Sequence, residues 1–338
     1  MPTPTIQNVS AYLATVGQNE QRTANIGALN LFRADTPRFL PNANLLFGQY
    51  RNPVSTARFA VMKKSDPTIT AARTLTMAAD DTETAYLNVT WNTVQATIGI
   101  SEAVFAGNDI TAEQALSHEL QALDQKVART LDTAAIAALE AAKTQVDNSG
   151  GVPFTFAANT YGVTAAQRER FLSAFESVML QNDFDGPYNI LGSPSMSAYL
   201  NDILKYGTAN DRNLAQFIQG NTYYQSNRLA AGAGNEMRAY VIPEGNLAVQ
   251  TFIEDDCKKG IDTGVEKWYT MVLPFSDIEV GVYEKVVGAD RSGDFGAGFE
   301  RTAMRYWSIA FDIAWILPYN SAIATLPSAV HKFEISAT

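Results

Sequence analysis

The strongest structural signal in the sequence is residues 111–146, which read TAEQALSHELQALDQKVARTLDTAAIAALEAAKTQV without a proline or a glycine. The first four residues match a capping box, in which the Thr111 side chain can accept a hydrogen bond from an early helix amide. Apolar residues follow at helical spacing: Leu116, Leu120, Leu123, Val127, Leu131, Ala134, Ala135, Ala138, Leu139, Ala142 and Val146. Such a helix of about 36 residues would be about 54 Å long. A heptad repeat fits the spacing poorly, so the sequence predicts the spine of a wide, thin protein.

The segment before this helix is predicted to be extended. Apolar and polar residues alternate over Ala57–Val61 and over Ala85–Trp91, with the polar piece Lys63–Pro67 between them. Alternation of this kind is typical of half-buried strands. We expect a projecting β-hairpin, followed by a third strand over Gln95–Phe105.

Residues 1–48 are predicted to form an arm. Prolines 2, 4, 37 and 41 interrupt regular structure there. The apolar residues are scattered and could not build a core of their own: Val9, Tyr12, Leu13, Leu29, Leu31, Phe32, Phe39 and Leu40. Two interpretations stay open, a partly ordered tail or an arm that packs along neighbouring molecules.

The part after the Gly150–Gly151 pair has the pattern of a compact α+β unit. Thr164–Gln167 is a second capping box, and Tyr188–Pro194 is predicted to be a buried strand that ends in a turn. From about residue 267 the pattern is again that of strands, with a glycine-rich segment at 288–298. The final stretch, Ser321–Ile335, is expected to return to an existing sheet.

Composition narrows the classes of function. The chain has 338 residues, of which 46% are hydrophobic and only 18% charged, against about a quarter charged in ordinary domains. Low charge is consistent with much surface hidden against partners. The net charge of −10 argues against general DNA binding, which depends on Lys and Arg replacing counterions. A container for DNA would tolerate this charge.

Motifs that would support catalysis or metal binding are missing from the sequence. No Gly-Lys pair is available for a phosphate-binding loop. The histidines are His118 and His331, and Cys257 is the single cysteine, too few ligands for a zinc site and none for a disulfide. The clustered carboxylates are interpreted as solvated turns. We therefore expect no catalytic, cofactor or metal residues. The apolar stretch Trp307–Leu317 is too short to span a bilayer, and the N-terminus is not a signal peptide.

The order of these parts resembles the major capsid proteins of tailed phages, which have the Hong Kong 97-type fold. The resemblance covers almost the whole chain and consists of order and spacing, without a diagnostic motif. The segments that carry it are Leu87–Trp91, Ile98–Ser101, Gly107–Ile110, Asp132–Leu139, Tyr188–Pro194, Tyr223–Leu229 and Tyr240–Gly245.

The resemblance implies an α+β fold with defined parts. These are an N-terminal arm (1–48), an extended β-hairpin loop (49–95), a peripheral domain with the spine helix at 111–146 (96–149), an axial domain (150–266), further peripheral strands with the glycine-rich loop (267–320), and a closing segment that returns to the axial domain (321–338).

The implied function is structural and not enzymatic. Copies of the chain would form hexamers and pentamers of an icosahedral shell around double-stranded DNA, without sequence-specific binding, membrane contact or cofactor. The protein would assemble in the host cytoplasm and reside in the virion. Because the arm starts near Met1, a separate scaffolding protein is expected, with a portal and decoration proteins as further partners. The alternatives are an encapsulin-like compartment and a metal-free enzyme.

Six residues are candidates for contacts between subunits. Leu31, Phe32, Phe39 and Leu40 would anchor the arm on neighbours, and deletion of residues 1–48 is expected to leave a lobe that folds but forms no stable shell. Some members of the family crosslink subunits through a lysine of the extended loop, which makes Lys63 and Lys64 the last two candidates.

Overall fold

The computed structural model describes residues 25–41, 57–62, 84–101, 112–143, 154–206, 220–289, 302–318 and 327–336. Its α-helices are α1 (Gly27–Phe39), α2 (Ala112–Ala142), α3 (Phe171–Gln181), α4 (Pro194–Tyr206) and α5 (Asp255–Lys259). Its strands are β1 (Ala57–Met62), β2 (Thr84–Val89), β3 (Asn92–Ser101), β4 (Thr155–Ala157), β5 (Thr160–Val163), β6 (Tyr188–Gly192), β7 (Thr222–Gln225), β8 (Asn235–Pro243), β9 (Ala248–Phe252), β10 (Glu266–Leu273), β11 (Ile278–Ala289), β12 (Thr302–Ile316) and β13 (His331–Ser336).

The spine helix expected from the apolar spacing is present as α2. It has 31 residues, which makes it about 46 Å long. Thr111, the proposed cap, and residues 144–146 lie outside the described residues. Leu116, Leu120, Val127 and Leu131 pack on one sheet, whereas the smaller residues of the C-terminal half belong to a different apolar cluster. One helix therefore supports two cores.

A five-stranded sheet packs against the N-terminal half of α2. Its order is β10-β11-β12-β3, and β9 pairs with the end of β12. The 15-residue strand β12 is the centre of the sheet. At Asp312 it pairs with Thr93 of β3 on one side and with Phe252 of β9 on the other. Strand β11 pairs with β12 only up to Ala310, and β9 pairs with β12 beyond that point on the same side. Trp307 and Phe311 face the helix side of the core.

A six-stranded sheet forms the second core. Its order is β4-β5-β13-β8-β6-β7, with parallel pairs β13–β5 and β6–β7. One face is covered by α3 and α4 through Phe171, Phe175 and Met196. The opposite face carries Leu191 and Tyr240, which pack against α1 and the end of α2. Strand β13 confirms the expectation that the last stretch of the chain returns to a sheet.

The extended strands expected before the spine helix are present and paired. Strands β1 and β2 are antiparallel, with Ala57 opposite Val89 and Met62 opposite Thr84. The connection between them, residues 63–83, lies outside the described residues. Strand β2 is followed almost at once by β3, an edge strand of the five-stranded sheet, and Val89 at the end of β2 packs against Ala314 and Ile316 of β12.

The prediction of an arm over residues 1–48 was wrong for residues 27–39. These residues form α1, whose buried side includes Ala28, Leu31 and Phe32. Pro37 lies in the last turn of the helix, where the missing amide removes a single intrahelical hydrogen bond. The apolar residues that looked too scattered for a core complete a core built by the rest of the chain.

The prediction of a second capping box at Thr164–Gln167 was also wrong. Residues Ala165–Arg170 form a 3₁₀-helix, and the Thr164 side chain makes no capping hydrogen bond. The backbone carbonyl of Thr164 accepts a hydrogen bond from the Gln167 amide instead, at 2.9 Å. The tighter turn satisfies the amide without the hydroxyl.

The described helices and sheets confirm the α+β class. None of the helices in the described parts of the chain is both long and apolar enough to cross a membrane.

Candidate functional site

The most constrained part of the structure is the junction, the region where α1 lies between α2 and the six-stranded sheet. Leu31 and Phe32 of α1 are fully buried there together with Leu139 of α2. The Phe32 ring also meets the edge of Trp315, with ring centroids 4.9 Å apart. Helix α1 thus fills the space between the two cores.

Asp132 of α2 fixes the beginning of α1. Its carboxylate accepts hydrogen bonds from the amides of Ala28 (2.8 Å) and Leu29 (3.2 Å). The same side chain accepts a hydrogen bond from the Ser226 hydroxyl, and the guanidinium of Arg228 lies 3.6 Å away. Because the first amides of a helix have no partner within it and carry partial positive charge, this buried carboxylate caps α1 from another helix.

Asp35 fixes the other end of α1. It is 1% exposed, and its carboxylate accepts hydrogen bonds from the amides of Gly245 (2.6 Å), Asn246 (2.8 Å) and Leu247 (2.7 Å). The Asn189 side-chain amide donates a further bond at 3.1 Å. These bonds hold the turn between β8 and β9 against α1, and this turn joins the six-stranded sheet to the five-stranded sheet.

A third buried carboxylate, Asp124 of α2, holds the turn between β10 and β11. It accepts hydrogen bonds from the amides of Phe275 (2.6 Å) and Ser276 (3.2 Å). Arg33 of α1 donates a hydrogen bond to the Asp277 carbonyl at 3.0 Å, so α1 and α2 both bind this turn. Burial lowers the pKa of Arg33, and the carboxylates of Asp277 and Asp124 oppose this change.

A charged network links the end of α2 to the six-stranded sheet. Lys332 of β13 lies 3.0 Å from Glu140 and 3.1 Å from Glu334, and Tyr240 donates a hydrogen bond to Glu140. Burial raises the pKa of Glu140, but hydrogen bonds from Lys143, Tyr240 and Lys332 outweigh it and bring the pKa to about 2. Glu140 is therefore ionised near neutral pH.

The candidate contact residues of the arm lie within the chain. Leu31 and Phe32 are 0% exposed, which corrects the expectation that they anchor on a neighbour, because no surface of theirs is left to bind one. Phe39 and Leu40 are half-buried and pack against a small cluster that contains Val89. Lys63 and Lys64 lie outside the described residues.

Exposed apolar residues cluster on the hairpin and on the β10 edge. Tyr86 of β2 is 63% exposed, Val265 is 60% and Val272 is 53%. The outer edge of β10 is paired in its first half, where Trp268 donates to the Ile261 carbonyl at 2.8 Å. The backbone N–H and C=O groups of alternate strand residues point to the same side. Thr270 and Val272 therefore direct these groups to the edge that Trp268 occupies, away from β11, and the described part of the chain supplies no strand there.

A groove of about 230 Å³ lies where the hairpin, the end of α2 and the end of β12 meet. Most of its lining is apolar, and the polar atoms nearby are not arranged as a catalytic group. The lining residues are Leu87, Asn88, Val89, Ala141, Ala142, Trp315, Ile316, Leu317 and Pro318.

The residues with reactive side chains are not assembled into a site. Cys257 is 7% exposed, and burial, together with Glu254 and Asp256, raises the pKa of its thiol. His118 is exposed on α2 and His331 is buried in the six-stranded sheet. Within the described ranges no three His, Cys, Asp or Glu residues are grouped closely enough to hold a metal ion.

The three buried aspartates that bind distant segments, Asp35, Asp124 and Asp132, were not predicted from the sequence. A usable signal existed for Asp124, which follows Leu120 by four residues and lies on the apolar face of α2. Asp132 follows Ala128 in the same way, and Asp35 follows Leu31. A carboxylate at an apolar position of a helix indicates a buried group with its own donors, although the donors themselves come from distant turns.

No protein-family model and no curated protein sequence matches the chain. Similar solved structures come from phages. One, described as the capsid structure of the Cyanophage P-SCSP1u, has 11% identity and a TM-score of 0.49 and covers 96% of this chain and 91% of its own. Structures from Mycobacterium phage Bobi and Microbacterium phage Oxtober96 each have 12% identity and a TM-score of 0.49, with 99% and 98% of both chains covered, respectively.

Proposed function

We propose that the chain is the major shell-forming protein of a tailed-phage capsid, with the Hong Kong 97-type fold and a structural, non-enzymatic role. The observation that carries this proposal is the β1–β2 hairpin. Its strands pair with each other, and the apolar Tyr86 side chain on it is 63% exposed. Ala85 and Val89, on the other face of β2, are buried within the chain, so the Tyr86 face is the side on which a partner surface is expected.

Further support comes from the five-stranded sheet and the composition. On the edge strand β10 the Val272 side chain is 53% exposed, and Pro274, which follows the strand, limits the open edge to a short stretch. The chain has 18% charged residues, in line with large obligate interfaces, which are more apolar than ordinary surface. Many modest contacts of this kind would act together in a closed lattice.

The finer assignments belong to the same proposal. The five-stranded sheet and the first half of α2 would form the peripheral domain, and the six-stranded sheet the axial domain near the centres of hexamers and pentamers. The net charge of −10 suits a wall that encloses double-stranded DNA without gripping it. A separate scaffolding protein, a portal and decoration proteins would be partners, with assembly in the host cytoplasm and the product in the virion.

Assembly of a Tyr86→Glu variant tests the proposal. A charge at this position should leave the chain folded, because the side chain is largely exposed, but should prevent its burial against another copy. Negative-stain microscopy and sedimentation are expected to show shells for the wild type and only small species for the variant, with the scaffolding protein co-expressed if required. Tyr86→Phe is the matched control and should assemble.

Two outcomes would contradict this function. Normal shells from Tyr86→Glu would mean that the hairpin does not contact other copies. A wild-type protein that never exceeds a tetramer, even with the neighbouring genes of its source co-expressed, would favour the alternative of an enzyme.

A further inference from the structure

The segment Ser328–Lys332 connects the end of α2 to the middle of the six-stranded sheet. The Ser328 hydroxyl donates to the carbonyl of Ala142, the last residue of α2, at 2.6 Å. Four residues later Lys332 lies 3.0 Å from Glu140 of the same helix. Between these two contacts the chain enters β13, which pairs with β8 on one side and β5 on the other. We call these two contacts the spine connection.

His331 lies inside this segment and points to the opposite face from Lys332, as successive strand residues do. The imidazole is 0% exposed, and neither ring nitrogen has a hydrogen-bond partner of good geometry in the described structure. Its ring stacks on Tyr161 of β5 at 6.1 Å between centroids and meets Phe184 edge-on at 5.5 Å. Val241 of β8 is its cross-strand neighbour.

We propose that His331 makes the spine connection sensitive to acid: when the imidazole binds a proton, the start of β13 leaves its aromatic surroundings and releases the contacts to α2. An imidazolium needs water or acceptors for both N–H groups, whereas the described surroundings offer two aromatic rings, Tyr161 and Phe184, and one backbone group, that of Ala329. Ser328 and Lys332 are bound to α2 on either side of His331, so a movement of the β13 backbone that carries the imidazole into water would pull on both contacts.

The charges around His331 favour the neutral imidazole in the folded protein. Burial lowers the pKa of His331 to about 4, opposed only by the carbonyl of Ala329, and no carboxylate contributes. The titratable side chain whose ring stacks on the imidazole is Tyr161. Lys332 and Glu334 face the other side of the sheet.

The size of the effect follows from proton linkage. An opened segment would hold His331 with an ordinary pKa near 6.5, so acid favours the opened state. Between pH 7 and pH 5 the opening equilibrium should shift by roughly 20-fold, and the equilibrium should continue to shift towards the opened state until the pH falls below about 4. Above pH 7 the equilibrium should be insensitive to pH.

Hydrogen exchange by mass spectrometry on the full-length protein, as assembled, tests the proposal. After correction for the intrinsic rate, exchange in peptides covering 328–336 and 135–143 should rise together by roughly 20-fold between pH 7 and pH 5. The His331→Phe variant keeps an aromatic ring between Tyr161 and Phe184, and its exchange in these peptides should not rise between pH 7 and pH 5. His118→Gln removes the exposed histidine, the only other one in the chain, and should keep it.

The outcomes are decisive in both directions. A wild-type protein with unchanged exchange in these peptides, or a His331→Phe variant with the full rise, would overturn the proposal. If His331→Phe does not fold, exchange of the imidazole carbon hydrogens of the wild type gives the same answer. After division by the intrinsic rate, which falls when the ring is protonated, His331 should be strongly protected at pH 7 and far less protected at pH 5. Equal protection at both would overturn the proposal without bearing on shell assembly.

Discussion

The carboxylate of Asp132, in the middle of α2, accepts a hydrogen bond of 2.8 Å from the backbone amide of Ala28, in the first turn of α1. The two residues are 104 positions apart in the chain. Because the carboxylate also holds Leu29 and Ser226, it joins three separate segments around one buried charge. The early helix is therefore part of the folded core, whatever segments of the chain contact other copies.

Asp132→Ala should destabilise the fold by about 3 kcal/mol, because it leaves buried amides and a hydroxyl without their acceptor. Asp132→Asn keeps one acceptor oxygen, so its free energy of unfolding should fall by less. Urea denaturation of unassembled protein, followed by tryptophan fluorescence, measures the difference. Asp256→Ala is the control, because its side chain is 53% exposed and its removal should cost under about 0.5 kcal/mol. Equal losses for Asp132→Ala and Asp256→Ala would contradict the assigned role.

Gly27→Ala should separate α1 from the six-stranded sheet. A Cβ atom at Gly27 would lie 1.9 Å from the backbone carbonyl oxygen of Gln225, and backbone cannot move aside as a flexible side chain can. We expect a loss of about 2 kcal/mol and faster hydrogen exchange over 27–39. Gly220→Ala is the matched control, since no atom lies within 4 Å of the added carbon. Similar exchange in both variants would be the contrary result.

Truncations should distinguish the early helix from the residues before it. Removal of residues 1–24 leaves the junction complete, so the product should fold with the circular dichroism of the described helices and sheets. Removal of residues 1–41 takes away Leu31, Phe32 and Asp35 and exposes an apolar face of the core. That product should aggregate or bind a hydrophobic dye strongly. A well-folded product from the longer truncation would show that α1 is dispensable.

The contribution of Glu140 should depend on pH in a defined direction. Hydrogen bonds hold its pKa near 2 in the folded protein, below the usual 4.5. The ionised group therefore stabilises the fold above about pH 4.5, and this stabilisation is lost as the pH falls from 4.5 towards 2. The side chain is 40% exposed, so solvent screening should limit the gain to about 1 kcal/mol.

The measurement is the difference in melting temperature between wild type and Glu140→Gln. It should be positive at pH 7 and close to zero at pH 2.5. Glu119→Gln, on the exposed side of the same helix, should give no difference at either pH. A difference for Glu140→Gln that persists unchanged in acid would contradict the ionic origin of the contact.

Cys257 should be unreactive in the native protein. Cys257 lies in α5 and is 7% exposed, and the raised pKa of its thiol leaves little thiolate at neutral pH. We expect labelling by a thiol reagent at pH 7.5 to be at least about a hundredfold slower than in the urea-unfolded chain. Rapid stoichiometric labelling of the folded protein would show that the segment Asp255–Lys259 opens readily.

Much of the fold could be predicted because its signals are local. The apolar spacing from Leu116 to Leu139 predicts α2 within a few residues, and alternation over Ala85–Val89 predicts β2. The sequence does not predict helix α1, because Pro37 lies within it and a proline normally interrupts regular structure. The spacing of Ala28, Leu31, Phe32 and Asp35 is helical, but it is short and includes a carboxylate.

The junction could not be predicted because its partners are distant in sequence. Asp35 binds the turn at 245–247, and Asp124 binds the turn at 275–276. Nothing local to either aspartate specifies those turns. The order of parts could be read from the sequence, but the burial of Leu31 and Phe32 within the same chain depends on residues of α2 and the six-stranded sheet that lie far away in the sequence.

A single helix, α2, belongs to both apolar cores. Leu120 is covered by one sheet and Leu139 by the other. Neither lobe can therefore be excised, exchanged with that of a relative or expressed alone without leaving half of this helix bare. Protein engineers who wish to display a peptide on this scaffold should insert it in a connection between strands, where added length leaves the shared helix intact.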